Sequence, residues 1–77
     1  MNWREHITVD PTICHGKACI KGTRVMISVI LDNLAAGESP DAIATAYRVT
    51  PDDVRAVLLY AAELSKDRLL AIPVGAT

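Results

Sequence analysis

The side chains able to ligate or react gather near the start of the chain, in Ile13-Cys14-His15-Gly16-Lys17-Ala18-Cys19-Ile20, with His6 upstream. Two thiols and two imidazoles invite a metal reading, because structural zinc takes nitrogen and sulfur ligands, with cysteines commonly about two to four residues apart. The gap between Cys14 and Cys19 is permissible, but His15 follows Cys14 directly and His6 lies beyond an Asp10-Pro11 turn signal. A fourth well-placed ligand is missing, so neither a metal nor another cofactor is expected. The favoured reading is burial of two small thiols beside Ile13 and Ile20, with His15 in a turn. A regulatory disulfide is the alternative.

Catalytic chemistry finds no support. There is no Ser-His-Asp arrangement, no acid/base pair in an apolar setting and no phosphate loop. Asp41, Asp52 and Asp53 sit where helix dipoles attract acids. The chain is expected not to be an enzyme. Its basic concentration is Lys17, Lys21 and Arg24, in glycine-bearing turns near Arg4 and His6. Such turns could be merely solvated, or could meet phosphates or an acidic protein surface.

These residues must be positioned by the stretch SPDAIATAYRVTPDDVRAVLLYAAEL, which runs from Ser39 to Leu64. Ser39-Pro40-Asp41 writes a helix start: a capping hydroxyl, a proline suited to the first helical position and an acid on the positive dipole end. Thr50-Pro51-Asp52-Asp53 repeats it, and Thr50 with Asp53 fits a capping box. The spacing predicts a helix-turn-helix with a spine of Ile43, Ala44, Val49, Val54 and Val57. Arg48 occupies the turn position that calls for positive φ, normally glycine. The second helix opens on Pro51, Asp52 and Asp53, acids that would face phosphates with the wrong sign, so base reading by that helix is disfavoured. Arg48 and Arg55 are its candidate DNA- or partner-contacting cations.

The predicted fold is mainly α: a trihelical helix-turn-helix core, homeodomain-like or winged-helix-like, with a short N-terminal β arm or hairpin. Residues 6–27 form the arm, 28–71 the helical core and 72–77 an apolar tail of a single domain. Met1 to Glu5 reads as a frayed lead-in anchored by Trp3. Ile7-Thr8-Val9 and Val25-Met26-Ile27 read as strands too short to survive alone, needing helices or a second subunit beneath them. Ser28 is expected to cap a first helix over Val29–Ala36, with Gly37 as its left-handed stop. That helix would bury Ile30, Leu31, Leu34 and Ala35 and leave Asp32 and Asn33 to solvent. The second helix runs from Pro40 to about Tyr47. The third starts at Pro51, has no clear stop before Pro73, and carries Val54, Val57, Leu58, Ala61 and Leu64 on one face.

The tail, Leu69-Leu70-Ala71-Ile72-Pro73-Val74, is apolar where chain ends are usually polar. It either docks on its own domain or inserts into a partner, and in the second case Leu69, Leu70, Ile72 and Val74, with Arg68 beside them, are the candidate partner-binding residues. The 77 residues carry a net charge of −1, with Phe absent and 51% hydrophobic content, so a small aliphatic core is expected without a strongly basic field. No apolar run reaches bilayer length, no signal peptide is written at the N-terminus, and two cysteines then suit a reducing, cytoplasmic setting.

From about His6 to Leu64 the chain closely resembles the domain of unknown function 433 family. The resemblance rests on the block Ile13-Cys14-His15-Gly16-Lys17-x-Cys19-Ile20-x-Gly22-Thr23-Arg24, with Leu34-Ala35-Ala36-Gly37-x-Ser39-Pro40 after it. Ala18 and Met26 stand where the family often has proline. The resemblance implies an antitoxin of a type II toxin-antitoxin system, similar in role to VapB and encoded beside a PIN-like nuclease. Such a nuclease holds divalent metal with clustered carboxylates, so Lys17, Lys21, Arg24 and Arg68 become candidates for entering its site. It further implies autoregulation at operator DNA and a homodimer or higher oligomer, with no membrane partner. A DNA-binding regulator without a toxin and a structural oligomerisation module are the rival readings.

Overall fold

The structure, a computed structural model, describes residues 1–67. The expectations for Arg68, Leu69, Leu70, Ile72 and Val74 lie outside the described residues. Three helices, α1 (Ile27–Ala35), α2 (Pro40–Tyr47) and α3 (Pro51–Asp67), stand behind a two-stranded antiparallel hairpin of β1 (Ile7–Thr8) and β2 (Cys19–Ile20). The protein is mainly α with an N-terminal β hairpin.

The helix ends obey their sequence. Ser39 Oγ accepts the Ala42 N–H at 3.1 Å, with Pro40 in the first turn. At α3 the box closes in both directions: Thr50 Oγ1 accepts the Asp53 N–H at 3.1 Å, and Asp53 Oδ2 accepts the Thr50 N–H at 2.9 Å. Two Schellman motifs stop α1 and α2. Glu38 N–H reaches Asn33 O at 3.1 Å and Gly37 N–H reaches Leu34 O at 3.0 Å, with Gly37 at φ +94°. Val49 N–H reaches Ala44 O at 3.0 Å around Arg48, which adopts φ 57°, ψ 42° despite its Cβ. The three-residue turn Arg48–Thr50 thus makes the helix-turn-helix, with a left-handed arginine doing what glycine usually does.

The start of α1 departs from expectation. Ser28 is not its cap; the cap position is Met26, and no side chain bonds there. The reason is the ribbon in front of it. Ile27 N–H donates to Ala18 O at 3.1 Å and Ile20 N–H to Val25 O at 2.9 Å, closing a Cys19–Met26 bridge. A strand-type bond thereby satisfies an amide at the helix start, and the helix grows directly out of it. Val25-Met26-Ile27 is accordingly a bridge and a helix start rather than a full strand. The pairing strand is Cys19–Ile20, in register Ile7↔Ile20 and Thr8↔Cys19.

Ile20, Ile27, Ile30, Ile43, Ala44, Val54 and Val57 form one buried cluster, so the hairpin contributes to the same core as the helices. Burying each large aliphatic there is worth roughly 1.5–3 kcal/mol. The lead-in is not frayed: Trp3–Glu5 makes a 3-10 turn capped by the Asn2 side chain, and Trp3 stacks edge-on against Tyr60 of α3 at 5.3 Å between centroids. That docking rotates the buried face of α3 toward Asp53, Ala56 and Tyr60. Leu58 and Leu64, expected on the buried stripe, are 46% and 42% exposed, and Ala56 is fully buried instead. Ala35 is exposed, while Asn33, expected in solvent, is half-buried. Its amide donates to Val29 O at 2.8 Å and to Tyr47 Oη at 2.9 Å, tying α1 to the last turn of α2.

Candidate functional site

Two adjacent turns carry the chemistry singled out in the sequence. The first begins at Asp10-Pro11, where Asp10 Oδ1 accepts from the Thr12 N–H at 2.8 Å and hydroxyl at 2.7 Å. Those bonds hold the Asp10 carboxyl below its ordinary range. The chain then passes through three consecutive residues of positive φ: Cys14 at 52°, His15 at 55° and Gly16 at 80°. Gly16 N–H to Ile13 O at 3.0 Å and Lys17 N–H to Cys14 O at 3.1 Å close this left-handed 3-10 turn. Only Gly16 tolerates that basin freely; Cys14 and His15 each cost on the order of 1–2 kcal/mol.

The second turn, Ile20 to Val25, is locked by Thr23. Its hydroxyl donates to Ile20 O at 2.7 Å and accepts the Val25 N–H at 3.0 Å, while Gly22 supplies φ +79°. Both thiols reach this turn. Cys14 Sγ donates to Arg24 O at 3.3 Å and Cys19 Sγ to Thr23 O at 3.5 Å. Cys19 is fully buried, and both cysteines are free. Burial pushes the Cys19 thiol above its ordinary value, and the neighbouring Cys14 thiol pushes it further.

Lys17, Lys21 and Arg24 are all exposed, Lys17 leaving the left-handed turn and Lys21 and Arg24 on the Thr23 turn. Arg24 lines an open concavity with Ile13, Gly22 and Thr23. Arg48 and Arg55 are exposed on the helix-turn-helix side. Among the described residues the ion pairs are His6–Asp53 and Lys66–Glu63, so none of these five cations is matched to a carboxylate there. The outward face of α3 carries Pro51, Arg55, Leu58 and Ala62, mixed and partly apolar rather than basic.

One pairing has no signal in the sequence. His6 Nδ1 donates to Asp53 Oδ1 at 2.9 Å, so one carboxylate both completes the α3 box and anchors the hairpin. Burial raises the Asp53 carboxyl, but the Thr50 N–H, the His6 ring and the Thr50 hydroxyl outweigh it and hold the group below its ordinary range. His6 and Asp53 are 47 positions apart in the chain, and nothing local joins them. No group of three or more His, Cys, Asp or Glu side chains placed to hold a metal occurs among the described residues. None of their helices is long and apolar enough to cross a membrane.

The family model described as protein of unknown function (DUF433) matches residues 7–61. A similar solved structure is the crystal structure of Rv2018 from Mycobacterium tuberculosis, 31% identical with a TM-score of 0.67. The likeness covers 74% of this chain and 27% of that one, so this chain corresponds to about a quarter of the longer protein. No curated protein matches the chain.

Proposed function

This chain belongs to the DUF433 family, and on that premise we propose that it is a non-enzymatic antitoxin that silences a PIN-like nuclease by binding it. The observation supporting this most directly is the basic edge formed by Lys17, Lys21 and Arg24. In a chain of net charge −1, these cations stand exposed on turns fixed by Thr23 and by the left-handed Cys14–Gly16 segment. A nuclease that holds divalent metal with clustered carboxylates offers the complementary charge. A side chain from this edge entering the site displaces metal or RNA and excludes water. The protein acts in the cytoplasm and as a homodimer in this reading. Arg68 and the apolar residues Leu69, Leu70, Ile72 and Val74 extend the contact.

Operator DNA is a second ligand for the same edge. The first turn of α3 is a poor base reader, since Asp53 is committed to its box and His6, and Asp52 stands exposed beside it. Phosphates would instead meet Lys21, Arg24 and Arg48.

The test is co-expression with the product of the neighbouring gene, which this reading requires to be a PIN-type nuclease. Co-purification and loss of RNA cleavage are expected, with Arg24→Ala restoring cleavage while its circular dichroism stays unchanged. A folded chain that neither binds nor inhibits the nuclease overturns the antitoxin reading. Where DNA is bound, Arg24→Ala should weaken it across all sequences and lower the salt slope by about one. Loss of recognition of a single base pair in Arg55→Ala, with Arg24→Ala silent, would show that α3 reads DNA.

A further inference from the structure

The two thiols sit on consecutive carbonyls of a single turn, Cys14 on Arg24 O and Cys19 on Thr23 O. Both sulfurs thus lie against one turn, and the Cys14 thiol adds to burial in holding the Cys19 thiol above its ordinary value. The left-handed turn brings them together: by reversing the chain over Cys14-His15-Gly16 it returns Cys14 to the start of β2. Their environments differ. Cys14 is half-exposed, whereas Cys19 is sealed in the core. An exposed thiol poised beside a buried one is the arrangement of a reacting and a resolving cysteine.

We propose that Cys14 and Cys19 form a peroxide-responsive dithiol that closes to an intramolecular disulfide and releases the Arg24 turn. The Cys14 thiolate attacks one oxygen of hydrogen peroxide. The O–O bond breaks, leaving a sulfenic acid on Cys14 and hydroxide, which takes up the proton Cys14 gave up and becomes water. The Cys19 sulfur then attacks the Cys14 sulfur. The S–O bond breaks, and the departing oxygen leaves as a second water with the Cys19 proton. Two thiols have lost two electrons and two protons, and the peroxide has become two waters. Peroxide reaches the half-exposed Cys14 and not the sealed Cys19, so the first attack belongs to Cys14. Once oxidised, neither sulfur can donate to Thr23 O or Arg24 O. The Thr23 and Arg24 carbonyls lose these partners, and the turn carrying Arg24 loosens around its Thr23 hydroxyl bonds and the Ile20–Val25 backbone bond.

The whole purified chain is treated with a few equivalents of hydrogen peroxide, and then subjected to a thiol count in denaturant and an intact mass. Both thiols are expected to disappear together, with the monomer losing two hydrogens in mass, and both to return with dithiothreitol. In hydrogen exchange, the Val25 amide keeps its bond to the Thr23 hydroxyl but should exchange faster on oxidation, because the turn that holds that hydroxyl has lost both thiol braces. Cys14→Ala leaves Cys19 unreactive in the folded protein. Cys19→Ala stops at a sulfenic acid on Cys14 that dimedone captures. Should Cys19→Ala not fold, the half-exposed Cys14→Ala still decides the order of reaction. Retention of both thiols, over-oxidation of Cys14 with Cys19 left free, or a disulfide linking two chains would each overturn the proposal.

Discussion

The helical half and the N-terminal half reach one core by different routes. From Ser39 to Thr50 the backbone is set by neighbours in sequence: a serine cap, a proline start, a threonine–aspartate box, with the cap and the box each bonding to a residue three positions away. In the first 26 residues the decisive contacts are distant. Trp3 rests on Tyr60, His6 on Asp53, and Ile20 is buried with Val54 and Val57. The same half holds Cys14 and His15, the non-glycine residues of positive φ other than Arg48 among those described. Helix ends can be specified locally because capping is a local reaction. A two-residue strand has too few bonds to exist without a surface, so its conformation is imposed from outside.

Removing a core side chain from the hairpin tests whether the halves are one unit. Ile20→Ala, at a residue 1% exposed, should cost about 2–5 kcal/mol. Trp3, the single tryptophan, reports the N-terminal half by fluorescence, and far-ultraviolet dichroism reports the helices. Both signals should shift to the same lower urea midpoint. Helices that keep the wild-type midpoint while the Trp3 signal falls would make the hairpin a separable appendage.

A smaller effect is expected at the one carboxylate both halves share. Asp53→Ala removes the acceptor for the Thr50 N–H and for His6, at about 1–2 kcal/mol. Because the folded Asp53 carboxyl lies below its ordinary value, its contribution is fully present above the unfolded carboxylate range, near pH 4. It is lost as pH falls through the lower folded value. Thermal midpoints measured downward from pH 6 should therefore fall more steeply below about pH 4 in the wild type than in Asp53→Ala. Asp10, also lowered, adds the same acid loss to both proteins. Parallel curves would mean that Asp53 is not held by these partners.

The smallest effect concerns backbone strain. Arg48→Gly, at φ 57°, relieves the left-handed penalty but adds freedom to the unfolded chain, for a net gain of about 0.5 kcal/mol. His15→Gly, at φ 55°, should gain a similar amount if the strain is equally local in both halves. A loss at His15 with a gain at Arg48, read from urea midpoints, would show that the imidazole has contacts worth more than the strain.

Much of the helical half is legible in the sequence. Ser39, Gly37 and the Thr50–Asp53 box behave as their types and spacing require, and Arg48 as its position requires against its type, because each reports bonds made locally in the chain. Ser28 misleads because a serine before an apolar run resembles a cap, while the bond that starts α1 comes from Ala18, nine residues earlier. Leu58 and Leu64 mislead because periodicity fixes the width of an apolar face, whereas docking of Trp3 and His6 decides which side of α3 is covered. At the candidate site, the basic edge is visible as Lys17, Lys21 and Arg24 in glycine-bearing turns. The thiol pair is visible as two cysteines but not as neighbours, since the left-handed run that joins them places a cysteine and a histidine where glycine is the usual signal.

The bond from His6 to Asp53 also sets a timetable. On the ribosome, the 47 positions between them take about 2–9 s to add at ~5–20 residues per second. Throughout that interval Trp3 has no Tyr60, and Ile20 has no Val54 or Val57, to lie against. The hairpin emerges first and is completed last, so its apolar side chains stay open to chaperones until α3 arrives. The turn bearing Lys21 and Arg24 has its own Thr23 bonds, but it is seated on the core only then, through Ile20 and His6.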